Sequence, residues 1–179
     1  MVTTGQLNSA LSACGYGPVD TSVANVIVNQ INNMTGSINE AAMFLAQLIH
    51  ESGGFQHRRE INGPALSYAP YYGRGYIQLT HDYNYRAASM ALFGDERLIN
   101  NPDMVSDSVE MSMRVSVWFW EARVRPEGGP SSNNFGLTTK AINGGLEPPG
   151  SDLARRRFSL YVQVANALGV SNINVPSGG

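Results

Sequence analysis

The chain reads as a mostly α-helical, two-lobed globule with a substrate cleft and little or no β-sheet. Three observations predict this. Capping residues stand ahead of apolar residues at helical spacing in one segment after another. Only one stretch, residues 76–80, reads as a strand. Nineteen glycines and nine prolines punctuate the 179 residues, and the charged fraction is 15% against 42% hydrophobic, which describes a folded chain with long ordered loops.

The elements follow in order. Thr3-Thr4-Gly5-Gln6 is a T-x-x-Q start for a short amphipathic helix carrying Leu7, Ala10 and Leu11, closed by Gly15-Tyr16-Gly17-Pro18. Cys14, the one cysteine, excludes an intramolecular disulfide and is expected as a small buried group at that helix end. Asp20-Thr21-Ser22 caps a second helix with Val23, Val26, Ile27 and Ile31 on one side. Ser37-Ile38-Asn39-Glu40 has the S-x-x-E form of a capping box, so the central helix begins near Ile38. Its residues from Ala41 to Ile49 are apolar on nearly every face, the signature of a helix inside a core. Gly53 and Gly54 stop it, which leaves Glu51 in the last turn.

From Ile61 to Tyr76, glycines and prolines alternate with Tyr68, Tyr71, Tyr72 and Tyr76, an ordered aromatic loop. Tyr76–Thr80 is the short strand, Tyr83–Phe93 a helix, and Asn101-Pro102 a turn. Asp107-Ser108-Val109-Glu110 caps a helix whose Met111, Val115, Trp118 and Phe119 are mostly core and which ends at Arg125-Pro126. A loop spans Glu127–Gly136, and Leu137–Ile142 forms a helical turn before Asn143-Gly144-Gly145. The last helix runs from about Asp152 to Leu168 with Leu153, Phe158, Tyr161, Val162, Ala165 and Leu168 inward, and the tail from Ser171 to Gly179 is loose. With no repeat or linker, residues 1–179 are expected to be a single catalytic domain.

The chemistry concentrates around Glu51. A helix C-terminus carries partial negative charge, and an apolar setting disfavours a carboxylate. Both push Glu51 toward the protonated form that a general acid needs. Glu60 follows the glycine turn beside Arg58 and Arg59, in an unlike, polar setting. Two carboxyl groups in contrasting environments suit glycoside hydrolysis, although a solvated helix-end glutamate is the plainer reading of Glu51. His50 and His57 lack the i, i+4 spacing of a zinc motif, so no metal is expected, and His50 packs beside the central helix or orients a carboxyl group. Gly73-Arg74-Gly75 lacks what a phosphate loop requires. Of Arg155, Arg156 and Arg157, at least one must face inward and needs a carboxylate, for which Glu60 is a candidate. Gln78, Thr80, Tyr83 and Asn84 put neutral hydrogen-bonding groups beside aromatic rings, which suits a sugar; an ordinary loop with internal bonds has the same composition. Net charge −2 argues against nucleic acid as a partner, and no apolar run is long enough to cross a membrane.

Several stretches together resemble the family nineteen glycoside hydrolases: FLAQLIHESGGF at 44–55, YYGRGYIQLTHDYNY at 71–85, NPDMV at 101–105, WFW at 118–120 and AINGG at 141–145. The resemblance runs from about Glu40 to Val170. It implies a lysozyme-like fold and endo-hydrolysis, with inversion, of chitin or chitooligosaccharides, that is, β-1,4-linked N-acetylglucosamine. By position, Glu51 would be the general acid and Glu60 the general base. Thr80, in place of a common serine, would help hold the water. Gln78, Tyr83, Asn84 and Asn143 match substrate-contacting positions, Arg157 the arginine paired with the base region, and Tyr72 lies near the cleft; His50 is counted among the substrate-binding set. The short spacing between the two glutamates implies an open cleft. The wording of residues 44–55 and 77–80 also resembles phage endolysins of the family, so a peptidoglycan-cleaving lysin is the alternative, and a non-catalytic chitin-binding defence protein is a third reading. No cofactor is expected, the protein is expected to be a monomer, and action outside the cell is expected although Met1–Gln6 shows neither the charged nor the apolar part of a secretion signal.

Overall fold

The computed structural model describes residues 1–174. Eight α-helices are found there: α1 Thr4–Ala13, α2 Thr21–Met34, α3 Ile38–Ser52, α4 Asp82–Phe93, α5 Arg97–Asn100, α6 Val109–Phe119, α7 Phe135–Asn143 and α8 Asp152–Leu168. The expected mostly α-helical fold is what forms, and among the described residues the only β pairings are two isolated bridges, Arg59 with Arg74 and Arg74 with Leu79.

Local chemistry sets the helix starts. Thr3 accepts from the Gln6 N–H and the Gln6 side chain returns to the Thr3 N–H, a complete capping box. Ser108 and Ser151 cap α6 and α8 in the same way from one side. At α3 the box is half made. Ser37 accepts from the Glu40 N–H, but the Glu40 carboxylate turns inward to accept from Trp120 Nε1 at 3.0 Å and from Arg125 Nε at 2.8 Å. Tertiary partners have outbid the local one, because a carboxylate with two strong donors in a buried setting gains more than a single backbone contact offers.

Helix α3 is the core. Every residue from Glu40 to Ile49 is buried, and Gly53 closes the helix in the left-handed region at φ 59°. Helix α8 packs along α3 and α1, α2 packs on α6 and α1, and α7 rests on α8. Phe44 of α3 meets the fully buried Trp120 edge-on, with ring centroids 5.2 Å apart.

Several expectations change. Residues 76–80 are a tight turn, not a strand: Arg74 and Leu79 exchange backbone bonds of 2.8 and 3.1 Å, and the residues between curl back. The helix begun at Val109 relaxes into a π-turn at Trp120–Val124 and a 3-10 turn at Arg125–Glu127. The inward face of α8 is Ala154, Arg157, Leu160, Tyr161, Val164, Ala165 and Leu168; Leu153 points out at 50% exposure. The tail expectation for residues 175–179 lies outside the described residues. No described helix is long and apolar enough to cross a membrane.

The aromatic loop is organised by Arg74, which is 3% exposed. Its guanidinium lies 3.8 Å from the Tyr72 ring centroid, donates to the Pro70 carbonyl at 2.7 Å and the Tyr85 hydroxyl at 3.0 Å, and pairs with Asp103 at 3.1 Å. The Tyr85 hydroxyl in turn donates to the Tyr72 carbonyl. Gly63 lies flat against the Tyr72 ring, where a Cβ would come within 2.4 Å of it.

Burial alone would raise the Glu40 carboxyl, but the bonds from Arg125 and Trp120 hold it below its ordinary value. Its stabilising effect is therefore present above the unfolded value and is lost as pH falls through the folded one. Glu40→Gln should cost about 2 kcal/mol at neutral pH, and chemical denaturation should show that gap closing below about pH 4.

Candidate active site

The end of α3, the α7–α8 connection and the turn at 74–80 enclose a cleft of about 700 Å³. Glu51 and Glu60 both line it, with Gln78, Thr80, Tyr83, Asn84 and Asn143, and with Tyr68, His81, Phe119, Lys140 and Ile142. A shallower extension of about 540 Å³ continues past Tyr83, Phe119 and Lys140 toward Arg123 and Glu127.

Glu51 hangs from the last turn of α3 with its side chain 16% exposed. Arg157 Nη2 donates to its Oε1 at 2.5 Å. That arginine, 1% exposed, is the inward member of the Arg155–Arg157 run. It also grips Glu147 through Nε and Nη2, both at 2.8 Å, and donates from Nη1 to Gln47 Oε1 at 2.7 Å. Asn143 completes the set by donating to Glu147 Oε2 at 2.7 Å. Gln47 and Glu51 are four residues apart and so share one face of α3.

The electrostatics follow from this sharing. The two-point bond from Arg157 holds the Glu147 carboxyl below its ordinary value. Glu147 thereby consumes much of the arginine's charge. Burial raises Glu51, Glu147 and Glu60 push the same way, and Arg157 opposes without prevailing, so Glu51 lies above the ordinary carboxyl range. His50 is driven down to about 4, first by burial and then by Arg157, and its buried Nδ1 has no partner.

Glu60 reaches the same cleft from the loop after α3. The Tyr68 hydroxyl donates to it, 2.7 Å from Oε1 and 2.8 Å from Oε2, and the Glu60 N–H donates to the Gly73 carbonyl. No direct bond joins Glu51 and Glu60. Thr80 donates to the Gln78 carbonyl at 2.9 Å, the Gln78 amide to the Gly75 carbonyl at 2.9 Å, and the Asn84 amide to the Thr80 carbonyl at 2.9 Å. These bonds fix the side chains, and each retains free hydrogen-bonding capacity toward the cleft. Tyr83 is 61% exposed beside them.

A family model described as chitinase class I matches residues 58–166. The chain belongs to glycoside hydrolase family nineteen. An endochitinase of Arabidopsis thaliana is 39% identical over 143 residues, which is 74% of this chain and 49% of that protein. A second Arabidopsis endochitinase is 32% identical over 95% of this chain and 70% of its own length. Chitinase C from Streptomyces griseus superposes with a TM-score of 0.75 at 28% identity, over 97% of this chain and 80% of that one. The chain spans about half the length of the first plant relatives it matches. Its fold is the lysozyme-like one expected of this family.

Within the family framework, three placements differ from the sequence reading. Arg157 pairs with Glu51 and Glu147, not with Glu60, because α8 packs against α3. Tyr72 is 8% exposed and stacks on Arg74 behind the cleft, not in it. His50 does not line the cleft either; it sits behind Glu51 near Arg157 and Glu147. Two residues of the site were missed, Tyr68 in the cleft lining and Glu147 buried behind it. Glu147 hides in a Gly-Gly-Leu-Glu-Pro-Pro stretch that reads as loop, and the need of a buried Arg157 for a partner was the only signal for it. Tyr68 was noted as one aromatic among several.

The raised Glu51 carboxyl makes a stability prediction. Its folded value lies above the unfolded one, so the favourable contribution exists at low pH and is lost as pH rises through the folded value. Glu51→Gln should melt roughly 2–4 °C above the native protein at about pH 7.5, and the gain should vanish by about pH 4. Calorimetry across pH checks the sign.

Proposed function

We propose that this protein is a chitinase that hydrolyses internal β-1,4 bonds between N-acetylglucosamine units, with Glu51 as general acid, Glu60 as general base and inversion at the anomeric carbon. The observation that carries the reading is that two carboxyl groups line one cleft in unlike surroundings, Glu51 buried beside Arg157 and Glu60 held by the Tyr68 hydroxyl. Burial holds the Glu51 carboxyl above its ordinary range, and Glu60 is met by a single neutral donor. The family membership and the names of its relatives support the substrate class.

In this reading Glu51 gives its proton to the glycosidic oxygen as the bond to the anomeric carbon breaks. Glu60 takes a proton from a water whose oxygen attacks that carbon from the opposite face. Thr80 donates to the Gln78 carbonyl, so its oxygen is oriented to accept a hydrogen bond from that water. Gln78, Tyr83, Asn84 and Asn143 supply neutral partners and an aromatic face for the sugars. One catalytic domain, acting as a monomer outside the cell without a cofactor, completes the proposal.

Single displacement requires carboxyl groups about 6.5–9.5 Å apart, leaving room for the water. NMR of early products from a chitin oligomer should therefore show the α-anomer, and early β-anomer would mean retention. Glu51→Gln should lower kcat by about a thousandfold or more while oligosaccharide binding, followed by calorimetry, persists; near-native turnover would refute the assignment. Parallel assays on chitin oligomers and on purified cell walls separate the chitinase from a peptidoglycan lysin, which would release muropeptides preferentially.

A further inference from the structure

The Glu60 carboxylate is met by one hydroxyl at almost equal distances, 2.7 Å to Oε1 and 2.8 Å to Oε2. A phenol has a single proton, so this geometry centres it between the two oxygens. A carboxylate offers about four lone-pair directions. The two that face each other are occupied by Tyr68, and the two outer ones stay open. The phenol keeps its proton, because the bond to Glu60 pushes it up to about 12.

Tyr68 is itself braced. Its ring meets His81 edge-on with centroids 5.2 Å apart, and His81 stacks on Tyr83 at 5.4 Å with planes 13° apart. All three rings line the cleft, and Tyr83 is the outermost. His81 holds a positive φ of 75° with an extended ψ of 145° and donates its N–H to the Tyr71 carbonyl at 2.8 Å. A non-glycine residue held at such a φ marks a position fixed by its surroundings. A continuous ladder of rings thus leads from the sugar-facing surface to Glu60.

We infer that Tyr68 is a positioning residue for Glu60: its hydroxyl sets the rotation of the carboxylate so that an outer lone pair faces the attacking water, and the His81–Tyr83 stack holds Tyr68 there. This rests on the reading of Glu60 as general base. The balance is simple. The water oxygen bonds to the anomeric carbon, its proton passes to an outer oxygen of Glu60, the leaving oxygen takes the Glu51 proton, and the Tyr68 proton stays where it is.

Tyr68→Phe removes one oxygen and keeps the ring. With a chitin oligomer its kcat should fall about tenfold or more while KM changes by less than about twofold, and its melting temperature should stay within about 2 °C of native. In a Glu60→Gln background the same substitution should produce no further loss, since the group it acts through is gone. His81→Asn, which removes the ring from the stack on Tyr68, should lower kcat in the same direction by a smaller factor. Native kcat in Tyr68→Phe, or an equal loss in both backgrounds, overturns the inference. Full turnover in Glu60→Gln instead removes the base assignment, a failure of the preceding reading that this series identifies separately.

Discussion

One buried guanidinium governs this molecule. Arg157 projects from α8 into a place with almost no water, where a cation is tolerated only if its donors and its charge are both satisfied. Gln47 and Glu51 come from α3 and Glu147 from the turn after α7, so the arginine fixes three elements relative to one another. The division of its charge matters as much as its position. Glu147 takes the two-point contact and ionises readily; Glu51 takes one contact, remains dry, and stays inclined to keep a proton. Buried ion clusters are weak sources of net stability, and well-packed apolar groups would serve stability as well. Under the proposed function, the cluster makes physical sense as a way of keeping the Glu51 carboxyl above its ordinary range.

The loop after α3 solves a related problem without a sheet. Residues 58–80 hold only one 3-10 turn at Gly63–Ala65 and two isolated bridges, yet they carry Glu60, Gln78 and Thr80. Arg74 supplies the missing scaffold by joining the Tyr72 ring, the Pro70 carbonyl, the Tyr85 hydroxyl and Asp103. Each contact spans a different part of the loop or its neighbours. Two buried arginines thus stand behind the cleft, Arg157 joining the elements around Glu51 and Arg74 ordering the loop that carries Glu60. Loops presented rigidly in this way are usual carriers of function.

The legible features were those whose causes lie within a few residues. Thr3, Ser37 and Ser108 announce helix starts because a cap acts over three positions. The apolar wrap of α3 and its Gly53 stop placed Glu51 in the last turn, and α8 spans the expected residues. Less was legible where a choice between partners had to be made. Glu40 had a local partner available and took Trp120 and Arg125. One of Arg155–Arg157 was recognisable as inward-facing with Glu60 as its expected partner; only α8 laid on α3 gave that place to Glu51 and Glu147. Tyr68 and Tyr72 are indistinguishable in a tyrosine-rich loop; one reaches Glu60 and the other lies under a guanidinium.

The sequence by itself determined the helices, their caps and stops, the central position of α3 and, through its motifs, the family. These depend on backbone geometry and on side-chain periodicity, which act at short range along the chain. Only the tertiary structure decided which carboxylate Arg157 neutralises, which tyrosine touches Glu60, and that both glutamates share a cleft. Those outcomes depend on competition among polar groups distant in sequence for a few buried donors, and that competition is resolved only when packing brings them together.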